Sequence, residues 1–362
     1  MSSGPQLAPG THTLAEILSQ PKCWRECLAA LEENNQLGKI QTQCVADAEW
    51  LFVGCGSSHY IALVAAASWT ALTGRRAKAV PASELLLFPD LVLTGSAPYQ
   101  PVLVSRSGHT SEVLQAAEYL ELQRNIRTLA ISCATHQPLE EICAATLYLL
   151  PADEKSTVMT RSFTSMLLGL QSLAAALAKK SAFSEALHRL PTVAQAALDS
   201  MQPCLGKFVQ AHEFADYVFL AQGPYFGLAS ESQLKVKEMS CSYAQVFHAL
   251  EFRHGPKAIV GPETLVTFLL SESAYETERE VLEEIKGLGA TTLVVTNIAD
   301  AAARCAADLL IELKLDVPEY ARLAAYIFAG QLLGFYTGLK KGYDPDRPRN
   351  LSRAVILSNN GK

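Results

Sequence analysis

The sequence lacks the patterns that mark zinc, redox and membrane proteins. Its nine cysteines form no CxxC pair and no Cys/His group at zinc spacing, so scattered reduced thiols are expected. No apolar run reaches the roughly 18 residues that a membrane-spanning helix needs. Residues 1–12 lack the charged start and apolar stretch of a signal peptide. These absences predict a cytoplasmic protein with no membrane partner.

Blocks of Lys or Arg are also missing. The 30 basic and 36 acidic residues give a net charge of −6, which argues against nucleic acid or an anionic membrane as the main partner. There is no GxGxxG and no Walker-type GK[ST], so nucleotide binding is weakly supported. No His/Asp/Glu cluster offers ligand spacing, and we expect neither a metal nor a cofactor.

Apolar residues are plentiful at 49%, and 362 residues suggest about two domains with a substantial core. Short apolar runs alternate with longer amphipathic stretches such as 60–72 and 110–123, which predicts an α/β fold with parallel sheets covered by helices on both faces. The predicted strands are 51–53, 102–104, 129–131, 147–150, 217–221, 265–270, 292–295 and 309–311.

The second half repeats the first in its order of elements, which indicates a duplicated α/β unit. We predict an N-terminal helical segment over 1–45, a first domain over 46–195 and a second over 205–341. Residues 162–200 look helical throughout, with Pro191 as the only proline break. A Pro-, Arg- and Asn-rich tail over 342–362 is expected to wrap over the surface or a site.

Two hydroxyl-rich turns follow predicted strands and precede helices. The first is GCGSS, ending in Ser57 and Ser58, and the second runs from Ser105 through Ser107 to Thr110. Each alone is explained by an ordinary capped turn. Together they lie where α/β proteins bind ligands, and they favour a phosphate cradle.

Two further segments carry titratable groups. Helical spacing places Glu231, Lys235 and Glu238 on one face, which is typical either of a solvated salt-bridged surface or of a carboxylate that moves protons. His254 stands in a Gly-Pro turn, where it is either structural or able to open a sugar ring by acid/base action.

These segments resemble the SIS (sugar isomerase) superfamily. GCGSS, SRSGHTSEV, ESQLKVKEMS, EFRHGP and RPRNLSRAV occur in the family's order over roughly residues 45–357. The order and spacing of these segments are similar to those in the isomerase half of glucosamine-6-phosphate synthase, in amino-sugar-6-phosphate deaminase/isomerases and in fructosamine-phosphate deglycases. The resemblance implies two tandem SIS domains acting on a sugar phosphate.

Residue roles follow from this resemblance. It assigns the sugar phosphate to Ser58, Ser105, Ser107 and Thr110, and proton transfer between C1 and C2 to Glu238. It gives ring opening to His254, which in this family reaches the site from the partner subunit of a homodimer with composite sites. We add three candidate substrate-binding residues, which are Ser57, Lys235 and Arg353.

Two departures from the synthase favour deamination. No glutaminase domain fits before residue 45, so we do not expect glutamine-dependent amination by this chain alone. Arg353 stands where the synthase carries a lysine that forms a Schiff base, which an arginine cannot do. We therefore favour an amino-sugar-6-phosphate deaminase/isomerase. The alternatives are an aldose–ketose isomerase of a non-amino hexose phosphate, a fructosamine-phosphate deglycase, a synthase-like aminotransferase without the glutaminase domain, and a non-catalytic sugar-phosphate sensor.

Overall fold

The computed structural model describes residues 7–95 and 98–357. Residues 1–6 of the predicted N-terminal segment and 358–362 of the predicted tail lie outside them. Within the described residues the strands are β1 (Glu49–Gly54), β2 (Ala77–Pro81), β3 (Tyr99–Val104), β4 (Leu129–Ser132), β5 (Ala145–Tyr148), β6 (Asp216–Ala221), β7 (Tyr243–His248), β8 (Thr264–Leu269), β9 (Thr291–Thr296) and β10 (Leu309–Glu312).

The helices alternate with these strands. They are α1 (Thr11–Leu18), α2 (Gln20–Glu33), α3 (Gln36–Gln41), α4 (Ser57–Thr73), α5 (Ala82–Leu87), α6 (Pro89–Val92), α7 (Ser111–Glu118), α8 (Pro138–Ile142), α9 (Arg161–Leu177), α10 (Ser181–Ala211), α11 (Tyr225–Ser240), α12 (Tyr275–Gly287), α13 (Ala301–Ala306) and α14 (Leu323–Lys340). A π-helical turn (Tyr119–Gln123) extends α7, and short 3₁₀ turns cover Leu150–Ala152, Glu251–Arg253, Pro256–Ile259 and Glu319–Arg322. No helix of the described part has the length and apolar character needed to cross a bilayer.

The chain divides into two compact units. The first-sheet unit contains residues 20–153, 161–191 and 352–357, and the second-sheet unit contains 7–19, 154–160 and 192–351. Each unit holds one five-stranded sheet in which every strand pair is parallel. The predicted fold of two parallel sheets flanked by helices is confirmed.

The first sheet has the order β2-β1-β3-β4-β5. From β1 the chain crosses to β2 on one side, and from β3 it crosses to β4 on the other. Because parallel crossovers are right-handed, α4 and α7 lie on opposite faces of this sheet. A buried cluster supports this arrangement, since Val113 and Ala116 of α7 pack with Leu51 and Leu103 of the sheet.

The second sheet has the order β10-β9-β8-β6-β7. The crossover through α11 leads from β6 to β7, while those through the 249–263 segment and α12 lead in the opposite direction. The same handedness places α11 on one face and the other two segments on the opposite face. Phe252 of the 249–263 segment accordingly packs with Val281 and Ile285 of α12 against Val218 and Leu220 of β6.

Helix α14 packs closely on α11 through three glycines spaced four residues apart. A Cβ on Gly330 would lie 2.2 Å from the Ser232 Oγ atom. A Cβ on Gly334 would lie 2.7 Å from the Lys235 carbonyl oxygen, and one on Gly338 would lie 2.3 Å from that of Met239. Since no larger residue fits without a shift, this stripe sets the distance between the two helices.

The structure differs from the sequence-based expectation at particular elements. Strands β2 and β7 were not predicted because both are largely polar or half-exposed edge strands without a buried apolar run. Strand β5 begins two residues earlier than predicted. Residues 162–200, predicted to be helical throughout, are interrupted only at 178–180, where Lys179 has a φ of 53°, and α10 continues through Pro191.

Candidate functional site

The two hydroxyl-rich turns lie at the carboxyl ends of neighbouring strands of the first sheet. Strand β1 pairs with β3, with Val53 opposite Leu103, and a turn follows each strand directly. The helices that begin after these turns lie on opposite faces of the sheet. The turns therefore flank the crevice at the point where the strand order reverses, which is the usual ligand site of such folds.

The turn at the end of β1 is tight because two of its residues are glycines. Gly56 has a φ of 54°, and a Cβ on Gly54 would lie 2.7 Å from the carbonyl carbon of Ser58. The Ser58 N–H donates to the Cys55 carbonyl (3.0 Å), and the His59 N–H donates to the Gly56 carbonyl (2.9 Å). Ser57 and Ser58, both buried, thereby stand at the first turn of α4, where the positive end of the helix dipole favours an anion.

The loop after β3 is ordered by its own serines. The Gly108 N–H donates to the Ser105 Oγ atom (3.1 Å), and the His109 N–H donates to the Ser107 Oγ atom (3.2 Å). Gly108 has a φ of 67°, and a Cβ there would lie 1.8 Å from the Gln137 Oε1 atom. Thr110 directly precedes α7, and its side chain makes no capping hydrogen bond. The loop thus brings Ser105, Ser107 and Thr110 to the start of a helix.

The C-terminal tail packs on this loop within the same unit. Arg106 is buried, and its Nη2 atom donates to the Arg353 carbonyl (3.0 Å). The Ser111 N–H donates to the Val355 carbonyl (3.1 Å), and the Leu357 N–H donates to the Ser111 Oγ atom (2.9 Å). The tail backbone therefore lies beside the candidate phosphate loop.

The side chain of Arg353 has a definite partner. Its guanidinium forms an ion pair with the carboxylate of Asp153, and both side chains are about half-exposed. Arg353 is thus near the loop through its backbone, while its charge is directed to an acidic group. The sequence analysis did not single out Asp153, because 200 residues separate it from Arg353 and no local spacing links the two.

Glu231, Lys235 and Glu238 form a buried charge array on α11. The Lys235 Nζ atom lies 3.1 Å from Glu231 Oε1 and 2.5 Å from Glu238 Oε2. The side chains of Glu231 and Lys235 are fully buried, whereas that of Glu238 is 17% exposed. The interpretation of these charges as a solvated surface is therefore wrong, and Glu238 is the member of the array that a ligand can reach.

The protonation of Lys235 follows from this array. Burial alone would lower the pKa of Lys235, but the neighbouring carboxylates of Glu231 and Glu238 outweigh it and raise the pKa above its usual value. Lys235 therefore stays an ammonium ion. Glu231 was not selected from the sequence as a site residue, although its i, i+4 spacing to Lys235 signalled the contact.

His254 is exposed and directly follows the 3₁₀ turn Glu251–Arg253. Residues before and after it are both bound to the same glutamate. Glu284 of α12 accepts from Arg253 (2.7 Å) and from Lys257 (2.6 Å). The hydrogen bond from Lys257 and then that from Arg253 lower the pKa of Glu284, so both contacts persist through neutral pH. This double contact and the buried Phe252 fix the turn, and His254 remains available at the surface.

Apart from Arg353, the candidate residues fall into three groups. The five hydroxyls of Ser57, Ser58, Ser105, Ser107 and Thr110 lie at one edge of the first sheet. Lys235 and Glu238 lie together on the α11 face of the second sheet, and His254 belongs to the 249–263 segment on its opposite face. No group of three or more His, Cys, Asp or Glu side chains suited to a metal is found in the described residues.

Comparison with known proteins identifies the family. The SIS domain model matches residues 48–176 and 216–333, one match on each sheet. The chain belongs to the SIS domain family. This confirms the resemblance derived from the five sequence segments.

Curated relatives of this SIS chain include two kinds of enzyme. It is 29% identical over 357 residues to a D-galactosamine-6-phosphate deaminase of Shewanella sp., covering 93% of this chain and 87% of the relative. It is 26% identical over 352 residues to a glutamine–fructose-6-phosphate aminotransferase of Methanothermobacter thermautotrophicus, covering 95% of this chain. The SIS chain spans 57% of that aminotransferase's length.

Solved structures give the same fold. A glucosamine-6-phosphate deaminase from Thermotoga maritima superposes with a TM-score of 0.77 at 29% identity, covering 96% of this chain and 100% of the other. A tagatose-6-phosphate ketose/aldose isomerase from Escherichia coli superposes with a TM-score of 0.80 at 23% identity, covering 97% and 98%. The second likeness is one of fold alone.

Proposed function

We propose that this SIS protein is an amino-sugar-6-phosphate deaminase/isomerase. It would convert a 2-amino-2-deoxyhexose 6-phosphate and water into a ketohexose 6-phosphate and ammonia. The observation that carries the proposal is the array on α11, which offers a reachable carboxylate, Glu238, beside a lysine that is held protonated. Two relatives named as amino-sugar-6-phosphate deaminases, each 29% identical, support the same reaction class.

The phosphate would bind in the first-sheet crevice. Hydroxyls of Ser58, Ser105, Ser107 and Thr110 supply donors there, with Ser57 at the same turn. The first turns of α4 and α7 add backbone N–H groups and the positive ends of two helix dipoles. Hydroxyl and backbone donors suit a dianion, and no lysine is needed at this point.

The chemistry is a proton transfer between neighbouring carbons. In the open-chain aldehyde, the Glu238 carboxylate removes the C2 proton, and the electron pair passes into an enolamine across C1 and C2 as the O1 atom takes up a proton. Return of the proton from Glu238 to C1, with loss of one proton from the nitrogen to balance the one that O1 gained, yields a C2 imine in which C1 is a hydroxymethyl group. Water adds to the imine and ammonia leaves, so the ketose forms without an external oxidant or reductant.

The nitrogen in this reaction belongs to the substrate. A Schiff-base mechanism would need a neutral lysine, but Lys235 is kept as an ammonium ion by two carboxylates. Arg353, at the position that resembles the synthase lysine, is an arginine paired with Asp153 and cannot form an imine. We assign Lys235 to holding the Glu238 side chain in place.

Ring opening would fall to His254, acting on the site of a second copy. Within one chain, the second sheet separates His254 from Glu238, so both act on one sugar only if two chains combine. We therefore propose a homodimer with composite sites, in which the exposed His254 turn reaches the partner's substrate.

The test is ammonia release from glucosamine 6-phosphate and galactosamine 6-phosphate, measured for the wild type, for Glu238→Gln and for Glu185→Gln, an exposed glutamate of α10, as a matched surface control. We expect release by the wild type and by Glu185→Gln, and a loss of at least about 100-fold in Glu238→Gln, as for removal of a general base. Folded wild-type protein that binds phosphosugars yet releases no ammonia would contradict the proposal. Interconversion of aldose and ketose 6-phosphates would then indicate the simple isomerase instead.

A further inference from the structure

The second sheet repeats the turn geometry of the first-sheet crevice. Gly56 and Gly223 each lie two residues beyond the end of the first strand of their sheet, with φ of 54° and 53°. Ser58 and Tyr225 each lie four residues beyond that end, and each donates its N–H to the carbonyl three residues earlier (3.0 and 3.1 Å). Tyr225 is therefore the counterpart of Ser58.

The loop after the neighbouring strand is repeated as well. Ser-x-Ser follows β3 as Ser105 and Ser107, and follows β8 as Ser271 and Ser273. In both loops the first serine's Oγ atom accepts from the N–H three residues on, from Gly108 at 3.1 Å and from Ala274 at 3.0 Å. The second sheet therefore has the same pair of turns at the same reversal of strand order.

A carboxylate from elsewhere in the chain occupies this second crevice. The Oε1 atom of Glu319 accepts from the N–H groups of Glu272 (2.7 Å) and Ser273 (3.2 Å) and from the Tyr225 hydroxyl (3.2 Å). Its Oε2 atom accepts from the Ser273 hydroxyl (2.5 Å). Both turns of the crevice thus donate to one anionic group.

The surroundings favour an anion at this point. Burial would raise the pKa of Glu319, but hydrogen bonds from Ser273 and the neighbouring N–H groups outweigh it, and the pKa lies below its usual value. Arg322 pairs with Glu272 beside the loop. Glu278 lies on the other side of Ser271, and burial raises its pKa, which reduces its repulsion of a nearby anion.

We propose that the loop Ser271–Ala274 and Tyr225 form a second oxyanion cradle, which this chain fills with its own Glu319 carboxylate. A phosphate has the same chemistry as the occupant, with oxygens that accept from backbone N–H and hydroxyl donors. A cavity of about 130 Å³ adjoins the cradle, lined by Glu272, Tyr275, Tyr326 and 296–298. The second cradle is consequently closed by an internal ligand, the Glu319 carboxylate.

Removal of the occupant tests this inference. Glu319→Ala vacates the cradle, whereas Glu319→Gln keeps it filled by a group of the same shape. Both are made in a Ser105→Ala/Ser107→Ala background, so the result does not depend on the first crevice or on the proposed reaction. Binding of inorganic phosphate is measured by titration calorimetry.

We expect Glu319→Ala to bind one phosphate per chain and Glu319→Gln to bind none. Adding Ser273→Ala should weaken the new site at least about tenfold, as for one lost charge-assisted hydrogen bond. A folded Glu319→Ala protein without saturable phosphate binding would overturn the inference, as would equal binding by Glu319→Gln. If Glu319→Ala is poorly folded, phosphate must raise its melting temperature more than chloride does at equal ionic strength, and the absence of this rescue also overturns it.

Discussion

Glu238 and His254 of one chain lie on opposite faces of the second sheet. Glu238 is on α11, whereas His254 follows Phe252, whose ring packs with α12 against the other face. The sheet lies between the two segments that carry these side chains, so we expect that the two do not meet on one small substrate. If both take part in one reaction, they must come from two chains.

Mixing two inactive variants tests this directly. In the proposed homodimer, the Glu238→Gln and His254→Asn variants are each expected to be inactive, because every site lacks one of the two groups. After random subunit exchange, half of the dimers are hybrids with one intact site of two, which should restore about a quarter of wild-type activity. Ammonia release is measured after mixing and after a denaturation–renaturation cycle that forces exchange.

The control is Glu238→Gln mixed with itself, which should stay inactive. Stable hybrids that recover no activity would show that the two residues act within one chain, or that one of them does not act at all. Light scattering on each variant measures whether the proposed dimers are present.

Lys235 is expected to be essential for stability because it neutralises a fully buried carboxylate. Lys235→Met leaves Glu231 buried without its ammonium partner, and we expect the free energy of unfolding to fall by about 3–5 kcal/mol. Glu231→Leu combined with Lys235→Met removes both charges and should recover much of this loss. Urea denaturation of both variants gives the comparison. A single variant as stable as the wild type would contradict a charged Lys235.

The strands with buried apolar runs were predictable from the sequence, because such runs are readable without knowing their neighbours. Strands β1, β3, β4, β6, β8, β9 and β10 appear within a few residues of their predicted positions. The edge strands β2 and β7 were not predictable in this way, because only their pairing with β1 and β6 makes them strands. Likewise, the left-handed conformation of Lys179, just after the end of α9, could not be predicted from the neighbouring residues.

The candidate site was predictable to a similar degree. The hydroxyls that follow β1 and β3 could be placed at one sheet edge from the sequence, because the carboxyl ends of parallel strands share an edge. The role of these hydroxyls in binding stays a prediction. Whether Lys235 faced water or protein depended on α14, about 90 residues away in the chain, so the helical spacing alone left both interpretations open. The repeat of Ser-x-Ser at Ser271 and Ser273 is visible in the sequence, but the carboxylate seated there is not.

The glycine stripe of α14 predicts a sensitive contact with α11, the helix that carries Glu238. Gly334→Ala introduces a methyl group 2.7 Å from the Lys235 carbonyl oxygen, which must push α14 from α11. We expect a loss of about 1–3 kcal/mol in unfolding free energy and reduced kcat, since Glu238 moves with α11. Gly287→Ala is the matched control, because nothing lies within 4 Å of a Cβ there. Equal stability of the two variants would contradict the close packing.

Glu319 predicts a defined acid sensitivity. Its pKa is lowered in the folded protein, so the ionised carboxylate stabilises the fold above the unfolded value of about 4.5, and this contribution is lost as the pH falls through the lower folded value. Glu319→Gln should therefore be less stable than the wild type at pH 7, by about 1 kcal/mol after allowing for solvent screening of a half-buried group. The difference should shrink towards zero as the pH falls below 4.5. Urea denaturation of both proteins from pH 7 to acid pH measures it. A difference that is constant with pH would mean that the Glu319 charge is not what the cradle binds.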